Sequence, residues 1–403
     1  MFDPSSIRVT GSLAGHQHAL WADLMAQGYT PLSSRNLLYL TAHLSRWLDE
    51  KGLRLIDLSE DLIEEFLVRR REVGYTHHLT RCSLTPILGH LRQVGAVPMW
   101  EVPVSERTPL DQLLDEYEQY LAQERALVST TVRGYCDAAR EFLSRHSEGG
   151  PIAIGRITAA DISSYIVGEA RRWSIGTAKH TVTALRSLLR YLLLRGVISV
   201  DLSCAVPAVA GYRLSGLPKT LSDSEVEQLL QVCDQTTFIG LRDFAVLLLM
   251  NRFGLRACEV ARLDLDDVQW ARAEIVVRGK GGREDTLPLP RDVGKAIARY
   301  VRRVRPRTTC RAVFVTMTAP HRKLTSPGVQ GIVQRAGRRI GFGRLGSHRL
   351  RHTAATRMLG RGASLPEIAQ VLRHRNLATT AIYAKVDRDA LRPLCRPWLG
   401  ERP

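Results

Sequence analysis

LPEIAQVLRHRNLATTAIYAKV, residues 365–386, puts His374 nine positions ahead of Tyr383 in a stretch that reads as a helix, a turn and a second short helix. Just upstream, GSHRLRHTAATRML at 346–359 places His348 and Arg351 three residues apart, on one face of a helix. His352 follows His348 at i+4, a spacing that suits zinc. The metalloprotease pattern needs a glutamate beside the first histidine, however, and Arg349 stands there. So many arginines also repel a cation, which makes metal the minor reading. Further upstream, FGLRACEVARL at 253–263 sets Arg256 where a helix can begin, with Glu259 three residues on. Between these boxes, EIVVR (274–278), the turn GKGG (279–282) and REDTLPLP (283–290) read as a β-hairpin with Lys280 at its tip. The glycines of that turn allow a close approach to a phosphate, but the P-loop frame is absent. Taken singly, each box has a bland reading: a surface arginine, an exposed lysine, a core aromatic.

Taken in order, the four boxes resemble the successive motifs of the tyrosine recombinases of the phage-integrase type. Arg256 stands in GLRxxE, Lys280 on a hairpin, His348-Arg349-Leu350-Arg351-His352 in the third motif, and Leu372-Arg373-His374 ahead of Thr379-Thr380-x-x-Tyr383 in the fourth. The resemblance covers roughly residues 110–395, and its one departure is Arg373, where many members carry glycine. It implies a chemistry that the residue list can serve. Tyr383 is the expected nucleophile, leaving a 3′-phosphotyrosine link and a free 5′-hydroxyl. Arg256 and Arg351 are expected to clamp the phosphate, and Lys280 to act as general acid. His348 is expected to assist proton transfer at the tyrosine, and His374 to hydrogen-bond a phosphate oxygen. Glu259 is expected to orient Arg256. Neither a metal nor ATP is required by this scheme, so no cofactor is expected.

The expected fold is mainly α and multidomain: two tandem small helical bundles, then an α+β catalytic domain with a small antiparallel sheet. One helical segment runs from Ser34 through LSEDLIEEFL (58–67) to Val97, and a second from Ser129 through ITAADISSYI (157–166) to Ile198. Trp47 matches Phe142, Phe66 matches Tyr165 and Gly95 matches Gly196, with an offset that drifts only from 95 to 101 residues. By resemblance the second bundle is of the SAM-like core-binding type. The Gly/Pro-rich stretch 203–220 separates it from a helix that starts with the Ser222/Glu225 capping box. The domains expected are 1–100, a possible duplicate of the core-binding module; 106–205, the core-binding DNA clamp; and 216–400, the catalytic domain. VFVTM at 313–317 is a candidate third strand.

Charge points the same way. The chain has 403 residues and net charge +17, yet residues 1–100 balance 10 basic against 10 acidic residues and 101–215 balance 13 against 13. The remaining 188 residues hold 34 basic and 17 acidic residues, so the polyanion-facing unit is the C-terminal one. Within the second bundle, Arg171, Arg172, Lys179, Arg186, Arg190 and Arg195 gather on or beside the last helix, the best candidate to lie against DNA. Seven scattered cysteines (82, 136, 204, 233, 258, 310, 395) without a C-x-x-C pair suit reduced thiols, not a disulfide framework or zinc ribbon. No apolar run reaches bilayer-spanning length and no signal pattern opens the chain, so a cytoplasmic, nucleoid-associated protein without membrane contact is expected.

The implied partners are duplex DNA carrying specific sites and the chain itself, as a tetramer passing through a Holliday junction. A partner recombinase or accessory protein is expected to meet residues 1–100. The tail with Leu391, Leu394 and Trp398 has the apolar positions to dock on a neighbour or on its own domain. A mobile-element integrase or transposase fits better than a chromosome-dimer resolvase. The rival functions are a type IB topoisomerase-like relaxing enzyme and a catalytically silent DNA-binding accessory protein.

Overall fold

The structure, a computed structural model, describes residues 3–99, 108–145, 154–210, 217–279, 282–374, 376 and 379–386. Two compact units emerge, one of residues 100–215 and one that joins 1–99 to 216–403. No helix among the described residues is long and apolar enough to cross a membrane.

Residues 1–99 form four helices, α1 (Gln17–Ala26), α2 (Pro31–Glu50), α3 (Glu60–Glu72) and α4 (Arg81–Gln93). The separate unit also carries four: α5 (Pro109–Gln119), α6 (Ser129–Arg145), α7 (Ala159–Ala170) and α8 (Ile175–Leu194). The residue matches read from sequence recur as matching contacts. Trp47 of α2 meets Phe66 of α3 edge-on with ring centroids 5.6 Å apart, and Phe142 of α6 meets Tyr165 of α7 edge-on at 5.1 Å. A short 3-10 turn precedes both α3 (Leu55–Asp57) and α7 (Ile154–Arg156), and Ser59 and Thr158 cap those helices with their hydroxyls. Gly95 and Gly196 take φ of 71° and 69°, a left-handed conformation that ends α4 and α8. Ala96 and Val97 then donate to the carbonyl of Leu91, as Val197 and Ile198 donate to that of Leu192.

The part beyond residue 216 starts with α9 (Asp223–Gln231) and α10 (Phe238–Phe253), followed by the short α11 (Ala257–Arg262). The Ser222/Glu225 capping box forms as expected. Helix α10 is buried almost all round, from Ala245 to Met250, which is why it shows no amphipathic stripe. The hairpin is present as β2 (Glu274–Arg278) and β3 (Glu284–Pro288), with Val276 opposite Thr286. The third strand is not the expected 313–317 segment but β1 (Val268–Gln269), which pairs antiparallel with β2. Around 313–317 there are only isolated bridges, Asp264 to Ala312 and Val315 to Lys323. An apolar run buried on both sides has no periodicity to declare its state. Val313, Phe314 and Val315 are core residues, and their backbone bonds go to Leu263, Leu324 and the Tyr300 hydroxyl.

Four more helices follow among the described residues of the unit: α12 (Arg291–Arg303), α13 (Ser326–Arg339), α14 (Ser347–Leu359) and α15 (Leu365–Leu372). After them comes a 3-10 turn, Ala381–Val386. Residues 1–99 touch this part where the His321 N–H donates to the Gln27 carbonyl at 3.2 Å. The tail residues Leu391, Leu394 and Trp398 lie outside the described residues.

One glycine lets the end of α10 lie close against α14 and α15. Gly254 ends α10 with φ +59°, and a Cβ there would lie 2.6 Å from a Leu372 methyl and 3.5 Å from Arg351 Cγ. Alanine at 254 therefore faces both backbone strain and overpacking. Gly254→Ala should lower unfolding free energy by about 1–3 kcal/mol in a denaturant titration; an unchanged midpoint would contradict this packing.

Candidate active site

The end of α10 delivers Arg256 as the N-cap of α11, and the capping box fixes what its guanidinium meets. Glu259, only 2% exposed, accepts the Arg256 backbone N–H on Oε2 and the guanidinium on Oε1, both at 2.8 Å. Glu259, expected to orient Arg256, is thus in contact with both its amide and its guanidinium. Oε2 accepts a further bond at 2.7 Å from Arg373. Burial would raise the Glu259 pKa, but the charge of Arg373 and the hydrogen bonds from Arg256 outweigh it and hold the carboxyl below its usual range.

Arg351 enters from α14 and is almost fully buried. One terminal nitrogen donates to the Gly254 carbonyl at 2.6 Å and the other to the carbonyl of Leu372. Each nitrogen retains a second N–H for another acceptor. Burial and the neighbouring Arg256 charge pull its pKa down to about 10, so it stays cationic at neutral pH.

Three histidines surround these cations, and each has its pKa lowered. His348 is lowered by burial and by Arg351 and Arg256; His352 is lowered by burial, His348 and Arg351. His374 is pushed down to about 4 by burial and the charges of Arg351, Arg256 and Arg373. Its Nδ1 lies 2.7 Å from the Thr380 hydroxyl, which ties the end of α15 to the turn that carries the tyrosine. No group of three or more His, Cys, Asp or Glu side chains among the described residues is placed to hold a metal ion.

Tyr383 sits in the final 3-10 turn, 1% exposed, packed with Ala355, Ile368 and Leu372. Its hydroxyl lies 3.0 Å from Nδ1 of His352, and the two rings meet edge-on at 5.7 Å. Burial raises the phenol pKa, while Arg351 and Arg256 pull it down, so the ring lies within the field of both guanidiniums. The contact to the phenol thus comes from His352, although sequence reasoning looked to His348 and weighed His352 only as a zinc ligand. The available signal was its place directly after Arg351, on the helix that faces the tyrosine turn.

Arg256, Glu259, His348, Arg351, His374 and Tyr383 are therefore gathered in one site, with His352 and Arg373 added. Lys280 lies outside the described residues; its hairpin is closed beside it by the Gly279 N–H donating to the Arg283 carbonyl at 2.7 Å. Of the basic residues on or beside α8, Arg171, Arg172, Lys179, Arg190 and Arg195 are exposed. Arg172 pairs with Glu169 at 3.5 Å and Arg195 with Glu116 at 2.9 Å, while Arg186 donates to the Val206 carbonyl at 2.8 Å.

Known proteins share this arrangement of sequence. Residues 219–389 match the phage integrase family and residues 114–196 the phage integrase N-terminal SAM-like domain. A putative integrase/recombinase of Sinorhizobium fredii, y4rA, is 41% identical over 385 residues, covering 94% of this chain and 92% of its own length. The tyrosine recombinase XerD of Mycobacterium tuberculosis is 29% identical over 307 residues, covering 72% of this chain and 97% of its own. In fold, the chain is similar to the XerH site-specific recombinase in a post-cleavage complex with palindromic difH substrate. The TM-score is 0.55 at 17% identity, over 92% of this chain and 97% of that one. On the strength of the matched domains and the full-length similarity to y4rA, the chain belongs to the phage integrase family of tyrosine recombinases.

Proposed function

We propose that this protein cuts and rejoins duplex DNA at specific sites through a transient 3′-phosphotyrosine bond to Tyr383. The observation that carries the reading is the Tyr383 hydroxyl 3.0 Å from a neutral imidazole and within the field of two guanidiniums. The phenol oxygen attacks phosphorus, its proton passes to Nδ1 of His352, and the bond to the 5′-oxygen breaks. Lys280, by family resemblance, gives that oxygen a proton. Arg256 and Arg351 hold the two non-bridging oxygens, where charge accumulates in the transition state. His348 and His374, kept neutral by the same arginines, supply hydrogen bonds to the phosphate and its surroundings. The covalent link retains the energy of the broken phosphodiester, so rejoining runs the same step backwards.

The exposed Arg171, Arg172, Lys179, Arg190 and Arg195 of the core-binding unit are the side chains proposed to meet the DNA backbone. Residues 1–100 are proposed as a second core-binding-type module, on the matching ring pairs and helix ends of the two bundles. Their balanced charge suits a protein partner, or a few base contacts, better than a phosphate-lined groove. Solved relatives include a λ integrase tetramer bound to a Holliday junction and the Tn1549 transposon integrase in complex with a circular-intermediate DNA. A tetrameric exchange reaction serving a mobile element is proposed here by analogy.

The full chain incubated with a pool of nicked duplexes of randomised sequence should give an SDS-resistant adduct, and sequencing the trapped ends would report the site. Tyr383→Phe should give none; an adduct in that variant would overturn the assignment. Arg351→Ala should slow single-turnover adduct formation by about 10²–10³-fold. The pH dependence has a definite sign. Bases whose pKa is depressed stay unprotonated further into acid, so cleavage should persist through pH 6.5, where an ordinary histidine is half protonated, and fail only below it. An acid limb centred at pH 6.5 or above would show that the histidines do not have these environments.

A further inference from the structure

The chain places a third guanidinium in the site at a position where the backbone resists any side chain. Arg373 takes φ 55° and ψ 48°, the left-handed region that favours glycine. Its side chain is nonetheless turned inward and 3% exposed, with Nε buried and unpartnered. One terminal nitrogen donates to the Val371 carbonyl at 2.7 Å and the other to Oε2 of Glu259 at 2.7 Å. Strain, burial of a cation and an orphaned donor are all unfavourable, and the ion pair with Glu259 is the contact that offsets them.

We propose that Arg373 is a positioning residue for the transfer reaction: it holds one oxygen of Glu259 so that Arg256 remains free to bind phosphate. The inference rests on the strand-transfer reading given above. With Oε2 held by Arg373 and by the Arg256 amide, Glu259 offers the Arg256 guanidinium a single oxygen, Oε1. Without Arg373, the carboxylate can turn both oxygens onto the guanidinium and neutralise it as a fork-to-fork pair. Charge counting agrees. Among the described residues, Arg256, Arg351 and Arg373 against Glu259 leave two positive charges for a phosphoryl group that becomes dianionic as the phenol oxygen adds, with Lys280 reserved for the leaving oxygen. Loss of Arg373 halves that.

Glu259 also reports the change through pH. It is faced by Arg256 and its amide from the start of α11, by Arg373 from the end of α15, and by Arg351 and His348 from α14. Arg373 is the largest influence holding its carboxyl down against burial, so removal of that cation raises its pKa. Protonated Glu259 can no longer accept both the amide and the guanidinium of Arg256, so Arg256 loses its orientation and activity should acquire an acid limb at higher pH.

The test uses the full chain as wild type, Arg373→Gly, Arg373→Lys and the double variant Arg373→Gly/Glu259→Gln. Glycine relieves the backbone strain, so the first variant should fold with an unchanged or raised Tm. Orthovanadate binding by calorimetry reads the arginine pair without DNA, and adduct formation on the nicked pool from pH 5.5 to 9 reads the reaction. Arg373→Gly should lose at least tenfold in both, with its acid limb shifted upward. Arg373→Lys should restore part of the shift, and the double variant should lack the new limb. Wild-type vanadate affinity and pH profile in Arg373→Gly, or vanadate binding that is independent of Arg373, would overturn the proposal. A wild type that forms no adduct but binds vanadate in an Arg373-dependent way would sink the strand-transfer reading and leave this one standing.

Discussion

Arg351 joins three separate pieces of chain by donating to the carbonyls of Gly254 and Leu372 from its place on α14. Those carbonyls are the free ends of α10 and α15, groups that no helix can satisfy internally. The guanidinium therefore does structural work with two N–H groups and retains others for a ligand. Arg256 follows two residues after the first carbonyl, and His374 two residues after the second. The placement of the candidate site's side chains thus descends from helix termini meeting around one buried cation. The close approach depends on Gly254, whose missing side chain leaves room for Leu372 and Arg351.

Crowding cations in a buried space has a consequence for every titratable neighbour. Arg351, Arg256 and Arg373 depress the histidines, and the first two oppose the effect of burial on the Tyr383 phenol. A single carboxylate, Glu259, offsets the repulsion. The site is left in the state a phosphoryl transfer needs, with positive charge fixed in place and imidazoles able to accept a proton.

Much of this was legible in sequence, because each motif combines a residue type with a local backbone signal. Arg256 follows a helix-ending glycine, the hairpin around Lys280 is bracketed by alternating residues, and the tandem bundles share their aromatic and glycine positions. The pairing of Trp47 with Phe66 and of Phe142 with Tyr165 repeats one contact in both bundles. What stayed hidden depends on tertiary packing. Whether His348 or His352 meets the phenol is decided by how the tyrosine turn rests on α14, a matter of one helical turn. The third strand was misplaced because a core segment such as 313–317 and a sheet strand have the same apolar signature. Arg373 was seen as a departure from family habit, but its left-handed backbone and its bond to Glu259 needed coordinates.

In the proposed reaction, the storage of Tyr383 among Ala355, Ile368 and Leu372 bears on the fate of the broken strand. A phosphate ester of tyrosine is lost irreversibly if water attacks before the partner hydroxyl returns. An apolar lining that leaves the ring 1% exposed slows that leak, since a water molecule entering there forfeits hydrogen bonds it cannot replace. The burial that makes the phenol a reluctant acid is thus also what would suit it, as the proposed nucleophile, to guard an open DNA end.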